Sequence, residues 1–360
     1  MKWLERLADS DEQSNQTTLP YQAPPEIAQS YNPNQIDLSC YDIAPPKEIV
    51  EYFYPRLQRQ AMGCQFEIFL AGIGRDQMIF AGEEALEEIT RLDAQLSHYR
   101  DESDITRLNL HACEQWVRLE PQLYHLIKDC LRISSETEGA FDITAGPLVK
   151  IWGFYRGEGR IPTIDEICNT LAKVGFYRIM TDDEDQLIYF ATEGMEISLG
   201  AVGKGYALDR AATILKMYGA ENAVIHGGQS SIYAMGAPPD KMAWELIIKD
   251  PRDHETPIEV VYLKDEALST SGNYEQYFEM NGKRYSHIID PLTGQPTQGM
   301  ISVSVIAPTG AESDALSTAF FVLGRERTEE ICHTRPDLRV IMLEEDGSDS
   351  ILVSRFGFNN

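Results

Sequence analysis

The spacing of apolar and polar residues changes period several times along the chain. The tail of RQAMGCQFEIFL alternates, as a half-buried strand does. MIFAGEEALEEITRLDAQLSHYR then turns helical, with Ile79, Leu86, Ile89, Leu92 and Leu96 on or near one face. A second helix is expected from Pro121, a good first helical residue, with Leu123, Leu126, Ile127 and Leu131 as its stripe. A third runs from Lys204 to Met217, with Ala207, Leu208, Ala211, Ala212 and Leu215 inward. Short strand-like runs follow: NAVIH, SIYAM, WELIIK, IEVVYL and MISVSVIA. Helices lie early, strands lie late, and MNGK is a strong hairpin signal. The pattern predicts an α+β fold, mixing helices with antiparallel sheets rather than alternating βαβ units. Residues 1–59 are polar, proline-containing and weakly periodic, and read as an extension. The body is expected over 60–345, with a C-terminal tail over 346–360.

Composition narrows the function classes. A net charge of −26, from 57 acidic and 31 basic residues with no basic stripe, argues against a nucleic-acid partner. An anionic ligand would need local help from backbone N–H groups, a placed lysine or a metal. The six cysteines show no C-x-x-C spacing, which argues against a zinc site or a disulfide scaffold. No stretch approaches the roughly 20 apolar residues of a membrane span. The first residues carry charges where a signal peptide needs an apolar run. As written, the chain is expected to be soluble and cytoplasmic.

Four stretches carry candidate chemistry. In ISLGAVGKGYALDRAA, Gly200, Gly203 and Gly205 surround Lys204 just before a helix. Small residues admit close backbone approach, and a helix start presents free N–H groups to an anion. A diphosphate suits this arrangement, although it matches neither a P-loop nor G-x-G-x-x-G; a plain glycine-rich helix start is the bland alternative. Asp209 either bonds a ligand or is an ordinary helix residue. In APTGAESDALSTAFFVLG, Thr309 and Glu312 have capping-box spacing. Asp314 and Thr318, four apart, share a face and offer hard oxygens to magnesium, or form a polar flank. GAFDITAGPLVKIWGF places Asp142 among large apolar residues, as a pocket residue or the cap of a local turn. Last, STSGNYEQYFEMNGKRYSHIIDPLTGQP holds Ser271, His287 and Asp290. Its hairpin would bring His287 near the strand that follows STSGN. His287 has the most catalytic surroundings of the seven histidines. A Ser-His-Asp hydrolase is conceivable, but no G-x-S-x-G elbow appears.

Together MGCQFEI, LDAQLSHYRDESDITRLN, GAFDITAGPLVKIWGF, LGAVGKGYALDRAA, HGGQSSIYAMG, STSGNYEQYF, YSHIIDPLTGQP and SVIAPTGAESDALSTAFFVLG closely resemble the FAD:protein FMN transferases. They stand in that family's order over about 60 to 330. The resemblance implies bound FAD and Mg2+. It implies transfer of FMN to a Thr or Ser hydroxyl of an acceptor flavoprotein as a phosphoester, with AMP released. The acceptor pattern is roughly D-[GA]-x-[ST]-[GA]-A-T. By motif match, Asp314 and Thr318 become metal ligands, with a backbone carbonyl near Gly200 or Ala201. His287 becomes the base or a close partner of the reacting phosphate, and Asp290 a pocket residue and second catalytic candidate. Lys204 and Asp209 fall in the FAD site, Met62 and Tyr99 match flavin- or adenine-side contacts, and Asp142 and Ser271 are pocket residues. The chain departs from the pattern at Ser198, often acidic in the family, at Ser313, often alanine, and in a polar extension where many members carry an export signal. A metal-dependent FAD pyrophosphatase and a non-catalytic FAD carrier remain alternatives, and a monomer or weak homodimer is expected.

Overall fold

The computed structural model describes residues 52–358 apart from 73, 156, 158, 240, 348 and 349. Most of the expected N-terminal extension therefore lies outside the described residues. Its last part does not: Arg56–Ala61 is the first strand of the main sheet.

That sheet has eight strands, numbered here in chain order. They are β1 (Arg56–Ala61), β2 (Cys64–Leu70), β3 (Ala223–Gly227), β4 (Ser231–Met235), β5 (Glu266–Gly272), β6 (Met300–Ala307), β7 (Arg339–Glu345) and β8 (Ile351–Phe356). Each pairs antiparallel with the next, so spatial order follows chain order from one edge to the other. The expected antiparallel α+β class is what the chain adopts. The stretch 346–360, expected as a tail, contributes the edge strand β8, with Val353 opposite Leu343.

Four long helices matter for the site: α1 (Arg75–Leu96), α2 (Pro121–Glu136), α3 (Gly203–Met217) and α4 (Gly310–Thr334). One face of the sheet packs on them. Phe66, Ile68, Ile225, Val303 and Val305 meet Leu86, Ile89, Leu208, Ala211 and Phe320 in one core. Each of the large side chains among them, taken fully out of water, contributes about 1.5–3 kcal/mol. The strand period of two sends their neighbours Phe69, Val224, Leu268 and Ile306 to the opposite face. There a two-stranded ribbon, Trp244–Asp250 paired with Asp253–Leu263, covers them with Trp244, Leu246, Val261 and Leu263. The result is three layers: helices, sheet, ribbon. It explains why β6 is buried at all eight positions and reads as a continuous run.

A third, smaller core lies to one side. Leu148 and Trp152, from the short helix Gly146–Ile151 and its end, pack with Ile167, Val174 and Ile289. Trp152 Nε1 donates to the Gly294 carbonyl at 2.8 Å. The aromatic-rich stretch around Trp152 therefore anchors the loop that carries His287.

Candidate active site

The site grows from the start of α3. Leu199–Val202 forms a turn in which Gly203 N donates to the Leu199 carbonyl at 2.7 Å. The residue before the helix, Val202, has no capping side chain. Gly200 and Ala201 on this turn are exposed. Lys204, the second helical residue, is half-buried and bonds Ser230 Oγ in the turn between β3 and β4.

Asp314 joins three elements here. Its Oδ2 accepts from Gly205 N at 2.6 Å and its Oδ1 from Ser231 Oγ at 2.7 Å, while the side chain is only 6% exposed. Thr318 lies one helical turn on. Ser271, near the end of β5, reaches both Ser317 Oγ at 2.8 Å and Thr318 Oγ1 at 3.3 Å. Among the described residues no group of three or more His, Cys, Asp or Glu side chains gathers around one point. The donor set is the Asp314 carboxylate, the Thr318 hydroxyl with Ser271 against it, and whatever carbonyls the exposed turn offers. Such a set suits a hard cation that takes its remaining oxygens from water and a phosphate; it does not suit zinc.

His287 stands at the foot of a hairpin, Tyr277–Met280 paired with Lys283–Ser286. The expected MNGK turn closes it, with Asn281 and Gly282 at φ 55° and 73°. The Gln276 carbonyl receives both the backbone N–H and Nδ1 of His287, each at 3.0 Å. A carbonyl only accepts, so Nδ1 carries the hydrogen and neutral His287 keeps Nε2 as a free acceptor. Burial lowers its pKa and the nearby Lys204 charge lowers it further, against the opposing pull of the Gln276 bond. The neutral form of the ring is thus favoured. Through Lys204 and Asp314 the same electrostatic neighbourhood includes Glu275 and Cys64. Burial raises both groups, and Lys204 opposes the rise in each.

The remaining expected residues divide into two kinds. Met62 turns β1 into β2 at φ 49° and bonds Asp93 Oδ1 through its amide at 2.8 Å, next to Cys64. Tyr99 is 67% exposed, its ring centroid 3.9 Å from that of His98 and 5.3 Å from that of Tyr155. His98 Nδ1 lies 3.4 Å from Ser198 Oγ, which ties this aromatic group to the segment leading into Gly200. Three aspartates instead support the framework. Asp142 caps a short turn, accepting from Thr144 N, Thr144 Oγ1 and Phe176 N at 2.7–2.9 Å. Asp209 accepts from Gly310 N and Ala311 N at 2.7 and 2.9 Å. Asp290, expected to be catalytic, bonds Leu292 N and Thr293 Oγ1 within its own loop, both at 2.8 Å. Aspartate's short arm beside unpaired amides makes it a cap first. Sequence reasoning missed Glu275, Cys64, Ser230 and Ser231. All four stand inside the quoted motifs, but no spacing singles them out.

Residues 62–342 match the ApbE family. The chain belongs to that family. It is 34% identical over 302 residues to an FAD:protein FMN transferase of Salmonella typhimurium, covering 81% of this chain and 84% of the relative. A transferase of the same name from Escherichia coli K12 is 32% identical over 298 residues, with the same coverage. Among solved structures, the ApbE protein of Thermotoga maritima superposes with a TM-score of 0.76 at 32% identity, covering 84% of this chain and 97% of its own. The flavin transferase ApbE from Vibrio cholerae gives 0.74 at 28%, covering 85% and 98%. The ApbE match spans the Met62 turn, α3, the His287 loop and α4 together. No helix among the described residues is long and apolar enough to cross a membrane.

Proposed function

We propose that this chain transfers FMN from FAD to a Thr or Ser hydroxyl of an acceptor flavoprotein, with Mg2+ in the site. The observation that carries the reading is the convergence of Lys204, neutral His287 and the Asp314–Thr318 pair beside an uncapped helix start, in a chain of this family. The acceptor oxygen forms a bond to the FMN phosphorus. The diphosphate P–O bond breaks and AMP leaves with that oxygen. The hydroxyl proton passes to His287 Nε2, which is unprotonated and fixed in direction by Gln276. Lys204, through its ammonium and its backbone amide at the start of α3, stabilises the charge that builds on the phosphoryl oxygens. Asp314 and Thr318, with a carbonyl of Gly200 or Ala201, would hold the magnesium, whose chemistry is to neutralise diphosphate charge. Tyr99 and Met62 suit the ring systems of FAD, and Ser271 steadies Thr318. Asp290 acts through the loop it braces.

Intact-mass analysis tests this directly. The chain is incubated with FAD, Mg2+ and an acceptor bearing the D-[GA]-x-[ST]-[GA]-A-T pattern. The acceptor should gain one FMN, with one AMP released. Free FMN and AMP formed equally fast without acceptor would make the chain a pyrophosphatase. Tight FAD binding with no turnover under any divalent metal would make it a carrier.

A further inference from the structure

The starts of α3 and α4 are tied to each other reciprocally. Asp209 of α3 accepts from the first two amides of α4, Gly310 and Ala311. Asp314 of α4 accepts from the Gly205 amide in the first turn of α3. Between these bonds the two backbones touch. A Cβ on Gly205 would lie 1.9 Å from the Gly310 carbonyl oxygen, and one on Gly310 would lie 2.4 Å from that of Gly205. No side chain fits in between, so the two helix starts meet backbone to backbone, with these bonds on either side of the contact.

We propose that Asp209 is a positioning residue for the metal pair. Its grip on Gly310 and Ala311 fixes where α4 begins, and so fixes Asp314 and Thr318 against the Gly200–Lys204 turn. The inference rests on the reading that Asp314 and Thr318 hold a divalent cation. Asp314 lies three residues past Ala311, about 4.5 Å along the helix axis. A shift of the first turn is therefore passed almost undiminished to its carboxylate. Magnesium demands near-octahedral oxygens at about 2.0–2.1 Å and tolerates little of such a shift. Asp209 itself is turned to the amides of α4, so its part is to aim the ligands.

The experiment measures Mn2+ binding by electron paramagnetic resonance, with saturating FAD and no acceptor, at pH 8. Parent, Asp209→Ala, Asp209→Asn and Asp314→Ala are compared, each first checked for folding by circular dichroism. Asp314→Ala should lose Mn2+ binding. Asp209→Ala should weaken it about 10–100-fold, the usual cost of losing a group that orients a ligand. Asp209→Asn keeps one oxygen for one amide and should fall between Asp209→Ala and the parent. The Mg2+ concentration for half-maximal FMN transfer should rise in the same order, with the rate at saturating metal much less affected. A folded Asp209→Ala that binds Mn2+ as the parent does overturns the proposal. If that variant does not fold, parent-like affinity in Asp209→Asn overturns it instead. A parent that binds no Mn2+ overturns the metal reading itself, and this inference with it.

Discussion

The two helix starts that meet at the site are closed in different ways. α4 is sealed. Thr309 Oγ1 accepts from Glu312 N at 3.2 Å, and Asp209 takes the amides of Gly310 and Ala311. α3 is closed by backbone instead. Val202 supplies no capping side chain; Gly203 N bonds the Leu199 carbonyl, Tyr206 N the Val202 carbonyl and Gly205 N the Asp314 carboxylate of the other helix, which leaves the amide of Lys204. A helix has four orphan amides at its start, and what meets them decides what the end can do. The sealed end serves as an anchor and carries its chemistry one turn and more inward, at Asp314 and Thr318. The α3 end, with the Lys204 amide and ammonium beside an exposed glycine turn, keeps a partial positive charge that suits an anion.

If the Lys204 side is where bonds change, its proton acceptor should matter most. His287→Ala should lower FMN transfer by about 10²–10⁴-fold while FAD affinity stays near the parent's. Steady-state rates and FAD titration of the same preparation check this. A folded variant with the parent's rate would move the chemistry away from His287. A drop in FAD affinity matching the drop in rate would make the histidine a support for the hairpin.

Much of this division is legible in the sequence, and the limits are physical. Periodicity finds α1, α2 and α3, because each presents one apolar stripe to the sheet. It finds β6 as an apolar run. It passes over β5, EALSTSG, whose serines and threonine sit where hydrophobic residues are expected. Two of those hydroxyls meet partners far along the chain: Thr270 Oγ1 lies 2.8 Å from Ser304 Oγ, and Ser271 bonds Ser317. It also leaves 346–360 as a tail, since an edge strand such as β8 is buried on neither face. The same holds at the site. Asp142, Asp209 and Asp290 look like ligands in sequence because a cap and a ligand use the same carboxylate. Only the fold shows which amides lie within its reach.

The sealed end has its own signature in pH. Burial, reinforced by the charges of Asp314 and Glu312, pushes Asp209 up to about 7 from an ordinary 3.8, against the pull of its two amide bonds. The folded protein therefore holds this proton more tightly than the unfolded chain does. The contribution to stability is complete below the unfolded value and is lost as pH rises through about 7. Asp209→Asn cannot titrate and should lack this loss. Thermal unfolding of both proteins at pH 5 and pH 8 should show the parent losing ground to the variant at the higher pH, whatever their offset at pH 5. A difference in Tm that stays constant across that range would mean Asp209 titrates no differently in the folded and unfolded chains.

The smallest effect belongs to the other half of the seal. Thr309 caps α4 from outside and touches none of the site residues. Thr309→Ala removes one bond to the Glu312 amide and should cost about 0.5–2 kcal/mol. Thr309 and Glu312 have the spacing of a reciprocal capping box, but the Glu312 side chain turns away, bonding Arg335 at 3.0 Å. The threonine therefore acts without a returning partner, and the lower part of that range is expected. Calorimetry should register a fall in Tm of a few degrees, while FMN transfer and Mn2+ affinity hold, because Asp209 still grips the first two amides. Loss of Mn2+ affinity in Thr309→Ala as large as that in Asp209→Ala would show that any loosening of the α4 start disturbs the metal pair, and that Asp209 has no special part in aiming it.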